Sequence, residues 1–129
     1  MPTPVYHQLG VWKHGDVIVV RFGEHQILDE LTVKKIGDEL YHVADRPDCC
    51  HLLLDFASVV GLSSLMVGKL LMLQRKMESK GGKLKLCEVG PELQEVVTST
   101  KLDQVFDIWD SEQDALKAFG PPDPSHSRS

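Results

Sequence analysis

The sequence predicts an α/β domain built on a mixed β-sheet. Three observations point there. Two segments rich in β-branched and aromatic residues flank His14-Gly15-Asp16 as the arms of a hairpin would. The apolar run His51 to Phe56 is short enough for a strand and apolar enough to be covered on both faces. Beyond it, helical and strand-like patterns alternate, which is how parallel strands are connected. The expected order is β-β-α-β-α-β-α-β-α, with about four helices in a single domain over residues 1–119.

The elements follow in order. Strands are expected near Val5–Trp12 and Asp16–Phe22, with Gly15 free to take the positive φ of the turn between them. Trp12 is expected to pack on the sheet. Val33, Ile36, Leu40 and Val43 recur at three- and four-residue steps, one face of a helix. Asp29 is its candidate cap, with Thr32 a later one. Gly37 weakens that helix by about 1 kcal/mol relative to alanine, which hints at close packing there. Pro47 marks the end, and "HLLLDF" reads as the central strand.

The next helix carries Met66, Val67, Leu70, Leu71, Leu73 and Met77 on a broad apolar face. Gly81-Gly82 stops it, because glycine enters the left-handed conformation that ends helices. "KLKLCEV" alternates, so one buried and one wetter face are expected. Pro91 opens a short helix, "VFDIW" is a last strand, and "SEQDALKAF" is a last helix capped by Ser111 with Asp114 three residues on. Residues 120–129, with three prolines, are expected to be a disordered tail.

Composition narrows the function classes. A chain of 129 residues with 42% hydrophobic content can bury one real core. The net charge of −5 offers no basic face for nucleic acid. No apolar run approaches the ~18 residues of a membrane span. "MPTPVYHQLG" lacks the basic and apolar blocks of a secretory signal, so a cytoplasmic protein is expected. Cys49, Cys50 and Cys87 form no disulfide framework and read as reduced thiols. No CxxC or HxxxH spacing occurs, so neither a metal nor another cofactor is expected.

Catalytic motifs are missing as well. The chain has no GxSxG elbow, no GxxxxGK[ST] loop and no GxGxxG after a strand. Its six histidines are scattered. Asp55 ends the central strand, where its carboxylate can accept nearby backbone N–H groups; alone it is a poor acid–base group. A small enzyme pairing Ser64 with a distant histidine stays open as a minor alternative.

What stands out is Ser63-Ser64, between the central strand and the best-defined helix. Serine is a preferred N-cap. The same helix start, with unpaired N–H groups and partial positive charge, also accommodates a phosphate. A phosphate there would oppose docking of a partner on the surrounding surface, since its charge must be desolvated.

The run from "HLLLDF" through "GLSSLMVGKLL", "KGGKLKLCEVGPELQ", "TKLDQVFDIW" and "SEQDALKAF" resembles the STAS family, the sulfate-transporter and anti-sigma-factor-antagonist module. The family's ordered landmarks all appear between residues 51 and 119, and residues 5–46 fit more loosely. The resemblance implies a non-enzymatic regulator in partner switching. Its partners would be a GHKL-type serine kinase that doubles as an anti-sigma factor, and a PP2C-type phosphatase. In this register Ser64 takes the phosphoacceptor position, with Ser63 the alternative target; Ser63 stands where the family has Asp, and Leu65 and Met66 replace Ser and Gly. The docking surface implied comprises Val60, Gly61, Leu62, Leu65, Met66 and Lys69. A ligand-sensing or scaffolding STAS domain without phosphorylation is the second reading. The oligomeric state is left open.

Overall fold

The computed structural model describes residues 9–120. The expected start of the first strand at Val5 and the tail beyond Gly120 lie outside the described residues.

Strands β1 (Leu9–His14) and β2 (Val17–Phe22) form the antiparallel hairpin, and Gly15 takes φ 60° in the turn. After it come β3 (Gln26–Ile27), α1 (Glu30–Ala44), β4 (His51–Asp55), β5 (Gly61–Leu62) and α2 (Ser64–Ser79). The chain continues with β6 (Leu84–Cys87), α3 (Pro91–Ser99), a 3₁₀ turn (Leu102–Gln104), β7 (Asp107–Trp109) and α4 (Glu112–Phe119). The main sheet has the order β1-β2-β4-β6-β7, and every pair after the hairpin is parallel. "HLLLDF" is therefore its central strand, and the mixed α/β order matches the expectation. The two-residue strands β3 and β5 are additional: they pair with each other in parallel.

The helices divide between the faces. Residues of α1, α2 and α3 pack with Ile18, Val20, Leu52, Leu54, Leu84 and Leu86 into the main core. On the opposite face Ala115 of α4 meets Val17, Val19, Leu53 and Cys87. This second layer corrects the reading of β6 as half-wet. All four of its residues are buried, Lys85 included, with its side chain 11% exposed. A cation can sit there because Lys85 Nζ pairs with the Asp107 carboxylate and lies 5.1 Å from the Phe119 ring centroid.

The predicted caps form. Asp29 accepts from the Thr32 N–H at 3.0 Å and Ser111 from the Asp114 N–H at 3.1 Å; Pro91 is the first residue of α3. Gly81, at φ 78°, follows the end of α2. Gly37 lies against the Lys69 side chain, where an added Cβ would come within 3.0 Å of Cδ. The close α1–α2 approach expected from that glycine is present.

Candidate functional site

Parallel strands place their C-terminal ends on one edge of the sheet, and loops gather there. From the end of β4 the chain turns at Val59, whose N–H donates to the Phe56 carbonyl at 2.9 Å. It then runs alongside residues 25–27. Val60 N–H donates to the His25 carbonyl at 2.7 Å and Ser63 N–H to the Ile27 carbonyl at 3.0 Å. His25 Nδ1 also sits 2.8 Å from the Ser58 carbonyl oxygen. The pairing of β3 with β5 thus holds the start of α2 against the segment leading into α1.

The two serines differ. Ser63 is extended (φ −83°, ψ 163°) and its Oγ accepts from the Met66 N–H at 3.3 Å, so it is the cap. Ser64 is the first helical residue and is exposed, and among the described residues its hydroxyl has no hydrogen-bond partner. The first turn of α2 contains no acidic residue of its own to offset the positive end of the helix dipole.

Apolar side chains surround this helix start. Val60 is 41% exposed and Leu65 56%. Leu28, directly after β3, and Leu31, in the first turn of α1, are also exposed. The sequence reading missed both leucines, because the two-residue strand that brings them here is too short to leave a period. Leu28 Cδ2 lies 3.6 Å from where a Cβ on Gly61 would be. Of the seven large apolar side chains left exposed among the described residues, Leu28, Val60 and Leu65 gather around this helix start, and Leu31 is exposed one step further on in α1.

Two residues expected on the docking surface are not on it. Met66 is fully buried and Leu62 is 8% exposed. Pairing of β5 with β3 turns Leu62 inward, and the helical repeat puts Met66 with Leu70 and Leu73 on the sheet side of α2. Gly61 and Lys69 are half-buried. The Lys69 stem crosses Gly37, and its Nζ sits 5.6 Å from the Tyr41 ring centroid.

A second, charged feature occupies the same edge. Asp55, 1% exposed, accepts from the Ala57 N–H at 2.8 Å, the strand-closing bond foreseen for it. It also accepts from Arg21 Nε and Nη2 at 3.4 and 3.3 Å, a pairing across 34 residues that sequence does not disclose. Arg21 stacks its guanidinium 5.2 Å from the Trp12 ring. Glu112 and Glu88 complete a cleft of about 500 Å³ between the ends of β2 and β4 and the start of α4. Burial and then the neighbouring Asp55 carboxyl push Glu112 above the usual carboxylate range.

Elsewhere the thiols are buried or unremarkable. Burial drives Cys87 strongly upward and Cys49 up to about 11, so both stay protonated. Among the described residues no group of three metal-binding side chains forms, and no helix is long and apolar enough to cross a membrane.

A family model for the STAS domain matches residues 10–115. The chain belongs to the STAS family. This STAS domain is 25% identical over 109 residues to the anti-sigma F factor antagonist of Paenibacillus polymyxa, covering 84% of this chain and 92% of that protein. Its fold matches a crystal structure of an anti-sigma factor antagonist from Mycobacterium paratuberculosis with a TM-score of 0.72. That pair shares 27% identity, over 85% of this chain and 91% of the other. It also matches the Bacillus cell fate determinant SpoIIAA in its phosphorylated form, with a TM-score of 0.64 and 18% identity, over 86% of this chain and 98% of that one.

Proposed function

We propose that this STAS domain is an anti-sigma factor antagonist that docks on a serine kinase/anti-sigma factor through the start of α2, and that phosphorylation of Ser64 ends the complex. The observation that carries this reading is the division of labour between the two serines. Ser63 is occupied as the cap, while Ser64 stands exposed beside it near Leu28, Val60 and Leu65. Exposed apolar side chains at the rim of a helix start are what a partner covers. A hydroxyl in their midst is where added charge does most harm to that contact. The relatives named as anti-sigma factor antagonists and the family resemblance support the same partner class.

The phosphate would rest on the free N–H groups of α2, so the fold accommodates it while the interface does not. A PP2C-type phosphatase restores the hydroxyl. The protein itself is non-enzymatic in this scheme and works in the cytoplasm. A serine hydrolase finds no support here: among the described residues neither serine is hydrogen-bonded to a histidine or a carboxylate.

The test uses the full chain, a GHKL-type anti-sigma kinase and ATP. Intact mass should rise by one phosphate, and fragmentation should place it on Ser64. Calorimetry should show the unmodified protein binding and Ser64→Asp binding at least about a hundredfold more weakly, the loss of one interface hot spot. Binding without any phosphate transfer would transfer support to the scaffolding reading. Equal affinity of the wild type and Ser64→Asp would overturn the proposed switch.

A further inference from the structure

The charged cleft at the start of α4 is not used by the proposed docking surface. Its geometry contains a contradiction if every carboxyl group is ionised. Three carboxylates, Asp55, Glu88 and Glu112, face one cation, Arg21. Arg21 Nη2 is 3.6 Å from Glu112 Oε1, too long for a hydrogen bond, because the guanidinium is already turned to Asp55. Among the described residues Glu112 Oε1 is consequently buried with no hydrogen-bond partner. A buried charged oxygen without a donor is costly and rare. Glu88 relieves nothing here: its carboxylate is spent accepting the Glu112 backbone N–H at 2.8 Å, and Glu88 itself holds a left-handed φ of 59° to reach it.

Asp55 Oδ2 and Glu112 Oε1 lie against the same Arg21 Nη2, at 3.3 and 3.6 Å, so the two carboxyl groups are neighbours. Two carboxyl groups can bond only if one of them carries a proton. Asp55 already accepts three N–H donors, as a carboxylate does, so the proton resides on Glu112.

We propose that Asp55 and Glu112 hold one proton between them, and that this carboxyl–carboxylate bond latches the start of α4 to the end of β4. The groups facing Glu112 are Arg21 from β2, Asp55 from β4, and Cys87 and Glu88 at the end of β6. Cys87 is protonated, so Arg21 is the one neighbour favouring ionisation, against two carboxylates. The direction of the Glu112 shift agrees with this balance. Its consequence has a definite sign. A group that keeps its proton in the folded chain above the unfolded range stabilises the fold at low pH; that contribution is lost as pH rises through the folded value. Above that value the latch becomes a pair of facing anions, and α4 loosens from the sheet at the edge where the loop to α2 also begins.

The experiment compares the full-length wild type with Glu112→Gln, whose amide can donate to Asp55 at every pH. Denaturant midpoints are measured from about pH 4.5 to 8.5, spanning the range above free glutamate. The wild type should lose stability with rising pH that Glu112→Gln retains, and amide exchange in α4 should quicken over the same interval in the wild type alone. Carboxyl ¹³C titration of the wild type gives the answer even if the variant folds poorly. The Glu112 signal should titrate above the free-glutamate range, and should return toward it in Asp55→Asn. Parallel stability profiles for the two proteins, or a Glu112 signal that titrates at or below the free value, would overturn the latch.

Discussion

Helices α2 and α4 begin at the same edge of the sheet, each after a parallel strand, and each opens on a serine cap. Beyond that they diverge. The start of α4 is crowded with acids: Glu112 and Asp114 lie in its first turn, and Glu88 caps it a second time. The start of α2 has one cap, no acid in the first turn, and exposed Leu28, Val60 and Leu65 beside it. The positive end of the helix dipole is answered from within the chain at α4 and left unanswered at α2. A phosphate on Ser111 would stand beside the carboxyl groups of Glu88, Glu112 and Asp114, whereas the first turn of α2 holds no acid. The difference separates a start that fastens a helix to the sheet from one that is open to chemistry and partners.

The sharpest way to break this comparison is to attack the floor beneath the open site. Met66 is fully buried under the first turn of α2, whereas Leu65 beside it is exposed. Met66→Ala should cost about 2–5 kcal/mol of stability in urea or guanidinium unfolding. Leu65→Ala should leave stability within about 0.5 kcal/mol of the wild type. If the two variants lose stability equally, the assignment of one to the core and the other to the surface is wrong. A smaller effect is expected at the interface itself. Leu65→Ala should weaken binding to the proposed kinase partner by about 2 kcal/mol, the size of a hot-spot truncation, as read by calorimetry. Met72→Ala, exposed further along α2, is the control and should bind nearly as the wild type does.

Much of this arrangement was legible in the sequence, for reasons that also mark where reading stopped. Asp29, Pro91, Ser111 and Gly81 act within a few residues of themselves, so their caps, openings and stops were readable. The central strand was readable because a covered strand is apolar throughout. Lys85 was misplaced because strand periodicity cannot tell a lysine facing water from one paired under α4 with Asp107. Leu62 and Met66 were drawn into the docking surface because adjacency to Ser63-Ser64 along the chain is not adjacency in space. The β3–β5 pair and the Arg21–Asp55–Glu112 cluster join residues from separate strand ends, and no local pattern signals such meetings.

The pair of serines at α2 gives the next test. Ser63 Oγ holds the Met66 N–H, so Ser63→Ala should cost about 1 kcal/mol in chemical denaturation. Ser64→Ala should leave stability within a few tenths of a kcal/mol of the wild type, on the stabilising side if anything, since an exposed hydroxyl at the first helical position holds nothing and alanine is the better helix former. Reversed costs would make Ser64 the cap and would free Ser63 as the target for phosphate.

The smallest effect belongs to the other helix, and it bears directly on the difference between the two starts. Ser111 Oγ accepts from the Asp114 N–H, the same bond that Ser63 makes to Met66. The environments are unequal. When Ser111→Ala removes that bond, the Glu112 N–H is still held by Glu88, and the exposed Asp114 N–H can turn to water. Met66 lies buried at the equivalent step of α2 and has less access to such a substitute. Ser111→Ala should therefore cost about 0.5 kcal/mol, the low end for a lost cap, and less than Ser63→Ala measured under the same conditions. Combining Ser111→Ala with Glu88→Ala should cost more than the sum of the single changes, because each cap compensates for the other's loss. Strict additivity would mean that the two caps act independently, and that the start of α4 is no better secured than the start of α2.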